Sequence, residues 1–133
     1  MSQKTKLSTC ALITHNDKFL VLQRSASEDF LPLVWEFPGG SVEEHEEITD
    51  ALFRELQEEI GVDLKGTPIK FLGISEEFTG LDKKDRYLQI NYLIQLTYLP
   101  DITISCEHCD HCWVGKDDGK LDDFLKKIVQ QIC

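Results

Sequence analysis

The chain has 133 residues, of which 41% are hydrophobic and 29% are charged. These values are typical of one soluble globular domain, so residues 1–133 are predicted to form a single domain, and a disordered or fibrous protein is excluded. The formal net charge is −10. Because no basic stripe accompanies it, stable binding to nucleic acid or to an anionic membrane is not expected. An anionic ligand would need a cation between itself and so acidic a protein.

Neither a targeting segment nor a membrane span is predicted. The apolar stretch Cys10–Ile13 is interrupted at Thr14, before the core of a signal peptide could form, and no longer apolar run follows. The five cysteines are an odd number, and three of them lie within Cys106–Cys112, which is a poor disulfide framework. We therefore expect a reduced, cytoplasmic protein.

The first elements are predicted to be strands. Residues that favour strands fill Leu7–Ile13 and Phe19–Leu22, and the polar break His15–Asp17 between them predicts a hairpin. A further short strand is predicted over Leu31–Phe37. The residues Pro38-Gly39-Gly40 then predict a chain break.

A helix is predicted after an acidic loop, Ser41–Glu47. Its apolar residues recur every four positions, at Leu52, Leu56 and Ile60. Gly61 is expected to end the helix as a left-handed C-cap. At the start, glutamate is a weak N-cap, so Thr49 is expected to cap in place of Glu47.

Two longer strands are predicted next, over Ile69–Ile74 and Tyr87–Tyr98, with a flexible connection at Thr79–Asp85. An irregular stretch through Cys106–His111 leads to a short strand at Cys112–Val114. The chain closes with an apolar face at helical spacing, formed by Leu121, Phe124, Leu125, Ile128 and Ile132. We expect this helix to pack on a mixed sheet, in a protein of the α/β or α+β class.

The first helix carries an unusual set of charges. At about 100° per residue, Glu55, Glu58 and Glu59 fall within an arc of about 100°. Like charges at this spacing repel one another, and the C-terminal half of a helix disfavours anions. The cluster is either a solvated acidic face or a site for Mg²⁺ or Mn²⁺, which prefer carboxylate oxygens.

The spacing around these glutamates carries more information than the cluster itself. Gly40 is followed after five residues by Glu46, and after seven more by Arg54-Glu55-Leu56, Glu58-Glu59 and Gly61-Val62. This pattern resembles the Nudix box, G-x5-E-x7-R-E-U-x-E-E-x-G-U, where U is a bulky aliphatic residue, and every fixed position is met. Trp35-Glu36-Phe37-Pro38-Gly39-Gly40 resembles the segment before the box in MutT-type members, and Glu107 with Trp113 is similar to their later acid and Trp pair.

The resemblance implies a Nudix-like α/β/α sandwich and a metal-dependent hydrolase that cleaves a phosphoanhydride bond by attack of water. It implies that Glu55, Glu58 and Glu59, together with Gly40, bind the catalytic Mg²⁺, for which Mn²⁺ would substitute. It also implies that Arg54 and Glu46 form an ion pair that orients these glutamates. The general base is left open between Glu58 and Glu107, because the family does not fix it at one place.

Seven residues are candidates for contacts with substrate. Gly39 and Gly40 permit close approach of the backbone, although a plain turn is the alternative. Arg24 resembles a position that reaches phosphates in related proteins, and an exposed strand-end arginine is the alternative. Phe78 is a candidate for stacking on a base, as are Phe30, Trp35 and Tyr87, for which core packing is the alternative.

The substrate is predicted only by class. The MutT-like flanks favour a nucleoside triphosphate, or an oxidised one, cleaved to the monophosphate and pyrophosphate. ADP-ribose, a nucleotide sugar and a dinucleoside polyphosphate remain alternatives. A sensor that binds a nucleotide without cleaving it is a further alternative, which the complete box disfavours. A homodimer is left open.

The cysteine-rich segment Cys106–Cys112 suggests a rival function. It holds three thiols and two imidazoles, all of them zinc ligand types, and a zinc-binding interaction protein is therefore the rival interpretation. Structural zinc usually draws pairs of ligands from separate segments, and only Cys10 or Cys133 is available to complete the set. A reduced loop without metal is therefore the favoured interpretation.

Overall fold

The computed structural model describes residues 4–79 and 84–132. Within these ranges the elements, in chain order, are β1 (Thr5–His15), β2 (Lys18–Arg24), β3 (Trp35–Glu36), β4 (Gly39–Ser41), α1 (Ile48–Ile60), β5 (Lys70–Thr79), β6 (Asp85–Gln95), β7 (His108–Val114) and α2 (Asp123–Val129), which a 3-10 turn (Gln130–Ile132) follows. None of the helices in the described residues is long and apolar enough to cross a membrane.

The described strands form one seven-stranded sheet of mixed type. Strand β1 pairs in parallel with β6 on one side and antiparallel with β2 and β4 on the other. Strand β5 pairs with β6, and β7 pairs with the far side of β2. The mixed sheet with two helices confirms the predicted fold class.

The two helices cover opposite faces of this sheet, as the alternation of β1 shows. Cys10 and Leu12 pack in one buried cluster with Leu125 and Ile128 of α2. Their neighbours on the strand, Ala11 and Ile13, pack in the other cluster with residues of α1, namely Leu52, Leu56 and Ile60. Each fully buried leucine or isoleucine contributes about 1.5–3 kcal/mol of transfer free energy, so both layers are held mainly by apolar burial.

The first hairpin has a two-residue turn at Asn16 and Asp17, whose φ angles are 50° and 63°. Turns with two positive φ angles match the twist of the flanking strands, and Asn and Asp tolerate them. Strands β1 and β2 then pair at only two positions, Thr14 with Phe19 and His15 with Lys18. Beyond that point the two strands diverge.

Residues 35–41 fill the gap between the diverging strands. Strand β3 pairs with β2, and β4 pairs with β1 through Thr9 with Gly40 and Cys10 with Gly39. Between them the Ala11 N–H donates to the Pro38 carbonyl at 2.9 Å. The predicted chain break is therefore confined to Phe37 and Pro38, and the expectation was wrong for Gly39 and Gly40, which belong to the paired strand β4.

The predicted strand Leu31–Phe37 was also wrong in extent, since only Trp35–Glu36 is a strand. Leu31 and Leu33 have φ angles of 48° and 64°, which are incompatible with a strand. Both side chains are exposed, so the apolar run does not mark burial here. Pro32 between them has no N–H to donate to a ladder.

Helix α1 begins at Ile48, so the expectation that Thr49 caps a shortened helix was wrong. Glu47 occupies the N-cap position and makes no side-chain cap hydrogen bond. The predicted C-cap is confirmed, because Gly61 has a φ of 69° and its N–H donates to the Gln57 carbonyl.

The later elements follow the prediction with shifted bounds. Strands β5 and β6 match the two predicted longer strands, but part of the predicted connection, residues 80–83, lies outside the described residues. Strand β7 begins at His108, four residues before the predicted Cys112, so only the last four residues of the stretch predicted to be irregular, 108–111, are strand. Helix α2 packs on the sheet as expected, and Asp122 caps it by accepting from the Leu125 N–H.

We expect Gly39→Ala to destabilise the protein by about 1–3 kcal/mol, a typical cost of overpacking. A methyl group at this position would overlap the carbonyl oxygen of Thr9, which lies in β1 and cannot move aside. Urea unfolding followed by circular dichroism measures the change. Gly119→Ala is the matched control because nothing lies within 4 Å of its added methyl group. Equal stability of the two variants would contradict this account of β4.

Candidate active site

A cavity of about 310 Å³ lies where β4 meets β1 and the C-terminal half of α1. Its lining divides into two parts. One part is acidic and includes Glu36, Glu55, Glu59 and Glu107 beside Arg24 and the glycines of β4. The other part is polar and uncharged and includes Ser8, Tyr87 and Gln89.

Arg54 organises the outer side of the acidic part. Its Nε and Nη2 donate to the two carboxylate oxygens of Glu46 at 2.8 and 3.0 Å, and Nη2 also donates to the Ser41 carbonyl at 3.0 Å. Its Nη1 donates to Glu55 at 3.0 Å and to Glu58 at 3.3 Å. The hydrogen bond from Arg54 lowers the pKa of Glu46 to about 2. One arginine therefore ties the loop before the helix to two of the box glutamates.

Glu55 lies against Gly40, and this contact explains the glycine. A methyl group at position 40 would overlap the Glu55 carboxylate. The carboxylate is largely buried, with 16% of the side chain exposed. Burial raises the pKa of Glu55, and the hydrogen bond from Arg54 opposes that shift.

Glu59 is the most buried of the box glutamates, with only 5% of the residue exposed. Burial, reinforced by the charges of Glu36 and Glu55, raises its pKa to about 9. Its Oε2 atom is buried and has no hydrogen-bond partner among the described residues. An unpaired buried carboxylate oxygen is costly, so the site is incomplete as the protein side chains form it.

Sequence reasoning missed two residues beside Glu59. The Nε2 atom of buried His108 lies 2.8 Å from Glu36 Oε2 and 3.9 Å from Glu59 Oε2. His108 reaches this position through a bulge in β7: Asp110 pairs with Gln23, but His108 rather than Cys109 pairs with Arg24. The bulge places His108 on the α1 side of the sheet. Glu36 lies in the segment Trp35–Gly40, whose resemblance to MutT-type members could have pointed to it. No feature of the sequence indicates the bulge that positions His108.

Some of the other predicted residues line the cavity and some do not. Glu107, Arg24, Gly39 and Gly40 line it, together with Glu55 and Glu59. Glu58 points outward, with 58% of its side chain exposed. Phe78 does not line this cavity, and its exposed ring lies 5.8 Å from the Arg86 guanidinium.

The candidate zinc ligands do not converge in the described part of the chain. Cys10, Cys106, Cys109 and Cys112 all have free thiols. Cys112 packs toward α2, whereas Cys109 is exposed and its thiol donates to Gln23. Cys133 lies outside the described residues. Within residues 4–79 and 84–132, the only cluster with metal-ligand geometry is Glu36, Glu59 and His108.

This fold and site define a class of enzyme. A family model described as a NUDIX domain matches residues 4–132. The chain belongs to the Nudix family, as a small MutT-like hydrolase that acts on acid anhydrides in phosphorus-containing compounds.

Particular relatives agree with this assignment. The chain is 33% identical over 129 residues to nucleoside triphosphatase NudI of Klebsiella pneumoniae (strain 342), a match that covers 93% of this chain and 90% of the relative. Its fold is similar to the crystal structure of the MutT NUDIX hydrolase from Burkholderia pseudomallei, with a TM-score of 0.81, 19% identity and coverage of 98% and 100%. The MutT protein from Methanosarcina mazei Go1 gives a TM-score of 0.78, 23% identity and coverage of 98% and 97%.

We expect Glu46→Gln to lower the Tm by a few degrees at pH 7 but not near pH 2. Because the folded-state pKa of Glu46 is lowered from 4.5 to about 2, its ion pair stabilises the protein above pH 4.5 and is lost as the pH falls toward 2. Thermal unfolding of both proteins across this range measures the effect. Glu47→Gln is the matched control because Glu47 is exposed and makes no cap hydrogen bond. A Tm difference independent of pH would count against the ion pair.

We expect Glu59→Gln to stabilise the metal-free protein at pH 8 by on the order of 1–3 kcal/mol, the scale of an unsatisfied buried polar group. The pKa of Glu59 is raised from 4.5 to about 9 in the folded protein. The stability that protonated Glu59 contributes to the folded state is therefore fully present below pH 4.5 and is lost as the pH rises through 9. Urea unfolding with a chelator present measures both proteins. The gain should vanish near pH 4.5, and Glu58→Gln, at the exposed neighbour, should produce no such gain.

Proposed function

We propose that the protein hydrolyses a nucleoside triphosphate to the nucleoside monophosphate and pyrophosphate. The observation that supports this most directly is the division of the cavity into an acidic part and an uncharged polar part. A triphosphate bridged by a cation fits the first, and a nucleoside fits the second. The similarity to a relative named nucleoside triphosphatase favours the same substrate class.

The acidic part fits a divalent cation, for which we propose Mg²⁺, with Mn²⁺ as a substitute. The donors are carboxylate oxygens, which these hard cations prefer. The unpaired Oε2 of Glu59 lacks a positive partner, and glycine at position 40 leaves the backbone bare beside Glu55. Glu55, Glu59 and Gly40 would hold the cation, and Glu58 would join them by turning inward. When bound, the cation polarises the phosphoryl oxygens and lowers the pKa of a coordinated water.

The protein's own groups orient this site. Arg54 holds Glu55 through one nitrogen and Glu46 through two others, so these two carboxylates are fixed before substrate binds. Its contact with exposed Glu58 is longer, at 3.3 Å, and would break when Glu58 turns toward the cation. Preorganised groups of this kind reduce the entropy cost of reaching the reactive geometry. Arg54 is thus a positioning residue in this proposal.

Two carboxylates are candidates for the general base. Glu107 lines the cavity and is exposed at its mouth, which suits a group that must reach a water molecule. Glu58 lies outside the cavity lining and is held by Arg54 at 3.3 Å. The arrangement favours Glu107 as the base and leaves Glu58 as a ligand to the cation.

The remaining contacts concern the two ends of the substrate. Arg24 lines the cavity with its guanidinium 3.5 Å from Glu36, and we propose that it turns toward a phosphate. At the uncharged end, the Gln89 amide donates to buried Asn91 at 2.9 Å, which leaves its carbonyl oxygen to accept from a base N–H. The Ser8 hydroxyl donates to the Tyr87 oxygen at 2.7 Å, which leaves the phenolic hydrogen available to donate. Gly39 and Gly40 let substrate approach the backbone of β4.

Other substrates and states remain to be separated by experiment. ADP-ribose, nucleotide sugars and dinucleoside polyphosphates contain the same bond, and oxidised nucleoside triphosphates share the whole triphosphate. The complete set of box glutamates disfavours a sensor without activity. A stacking role for Phe78 and a homodimer stay predictions.

The test is a panel of these nucleotides with Mg²⁺, in which pyrophosphate and phosphate release are measured separately. We expect nucleoside triphosphates to give pyrophosphate, and Glu107→Gln to lower kcat about 10²–10⁴-fold, the usual contribution of a general base. Glu44→Gln is the matched control because that carboxylate is 89% exposed and does not line the cavity. Chelation of the cation should abolish turnover, and its return should restore it.

Three results would count against the proposal. Absence of turnover on the whole panel with metal bound would favour the sensor. Preference for ADP-ribose or a dinucleoside polyphosphate would replace the substrate class. Full activity of Glu107→Gln together with a large loss in Glu58→Gln would move the base to Glu58.

A further inference from the structure

Three donor atoms of different chemistry converge beneath the cavity. One carboxylate oxygen each from Glu36 and Glu59 and one ring nitrogen of His108 all lie within 4.8 Å of one another. Glu36 comes from β3, Glu59 from α1 and His108 from β7. Three separate elements therefore bring their side chains to one point. A solvated acidic surface would not need such convergence.

The distances between these donors suit a single cation. Around an octahedral ion with bonds of about 2.1 Å, neighbouring donors lie about 3.0 Å apart and opposite donors about 4.2 Å apart. The His108 nitrogen is 2.8 Å from Glu36 Oε2 and 3.9 Å from Glu59 Oε2. The Glu36 and Glu59 oxygens lie within 4.8 Å of one another, so modest movements of the side chains would place all three donors around one ion.

One of the three donor atoms is unsatisfied. Glu59 Oε2 is buried without a hydrogen-bond partner among the described residues. Only 7% of the Glu59 side chain is exposed, so bulk water does not compensate this oxygen. Native proteins rarely leave such atoms unpaired, and a missing ion is one of the usual reasons.

A simple hydrogen bond between Glu36 and His108 explains only part of this arrangement. That bond, together with Arg24 at 3.5 Å, compensates the Glu36 carboxylate. It leaves Glu59 Oε2, at 3.9 Å from the imidazole, without a hydrogen-bond partner in residues 4–79 and 84–132. A cation would compensate Glu59 as well.

We propose that Glu36, Glu59 and His108 together bind a divalent transition-metal cation, and that the His108 nitrogen makes this site prefer Mn²⁺ or Co²⁺ to Mg²⁺. An imidazole nitrogen is a poor ligand for Mg²⁺, which favours oxygen and water, and a good one for transition metals. The inference deepens the proposed function, on which it rests for the shared use of Glu59. It adds two ligands outside the box and a choice of metal.

The test is Mn²⁺ binding to the full-length protein without nucleotide, measured by electron paramagnetic resonance. Mn²⁺ is the probe because the exposed thiols of Cys106 and Cys109 attract softer metals. We expect electron spin echo modulation from a directly bound imidazole ¹⁴N, altered by ¹⁵N-histidine labelling. An imidazole that only hydrogen-bonds to a ligand carboxylate would not give this directly bound signal.

Variants identify the nitrogen and the carboxylate. We expect His108→Asn to remove the nitrogen signal and to raise the Kd for Mn²⁺ at least tenfold, while the Kd for Mg²⁺ changes less than about threefold. Glu36→Gln should raise the Kd for Mn²⁺ by a similar factor. The matched control is His111→Asn, since His111 is exposed on the same strand.

The outcomes separate this inference from the proposed function. If wild-type protein binds Mn²⁺ without nitrogen modulation, the inference is wrong, and this result needs no variant to fold. Loss of the signal in His111→Asn but not in His108→Asn would also overturn it. Nucleotide hydrolysis without nitrogen coordination would support the proposed function and contradict the inferred metal site. Nitrogen coordination without hydrolysis would support the metal site and contradict the proposed function.

Discussion

The close approach of β4 to β1 is the constraint on which the site depends. Strands β1 and β2 separate after the hairpin, and β4 pairs with the freed edge of β1 through Gly39 and Gly40. At both glycines a methyl group would overlap a neighbour, a backbone carbonyl at one and the Glu55 carboxylate at the other. The absence of side chains therefore serves two purposes, since it closes the sheet and lets helix α1 present its carboxylates to the backbone of β4.

This arrangement places negative charge where the protein cannot fully compensate it. Arg54 compensates the outer carboxylates, and Arg24 contacts Glu36 at 3.5 Å. Glu59, behind them, has one oxygen without a hydrogen-bond partner in the part of the chain that the structure describes, and burial with the charges of Glu36 and Glu55 raises its pKa to about 9. Unfavourable energy of this kind is a common property of functional sites, where a ligand supplies the missing interaction. Buried Glu59 thus destabilises the metal-free protein when it is ionised, which is consistent with a site that binds a cation.

The sequence predicted much of this molecule because much of it is encoded locally. Apolar spacing located α1 and α2, and the fixed intervals from Gly40 to Gly61 identified the carboxylates and their arginine. Local signals were misleading at Leu31 and Leu33, whose apolar side chains are exposed on a left-handed backbone. Thr49 failed as a cap because the helix begins one residue earlier, at Ile48, and the Glu46–Arg54 pair holds the loop before it. His108 was assigned only to the cysteine-rich segment, since the bulge that turns it toward Glu59 depends on pairing with β2.

The bulge also explains how two adjacent residues come to serve different parts of one site. In a regular strand neighbouring side chains point to opposite faces, and Glu107 precedes the first residue of β7. Its neighbour His108 is buried beside Glu36 and Glu59, whereas Glu107 is exposed and lines the cavity. Under the further inference the buried residue would bind a transition-metal cation with Glu36 and Glu59, and under the proposed function the exposed residue would activate water. A net charge of −10 would then impose an order on binding, because the protein repels a free polyphosphate until a cation stands between them.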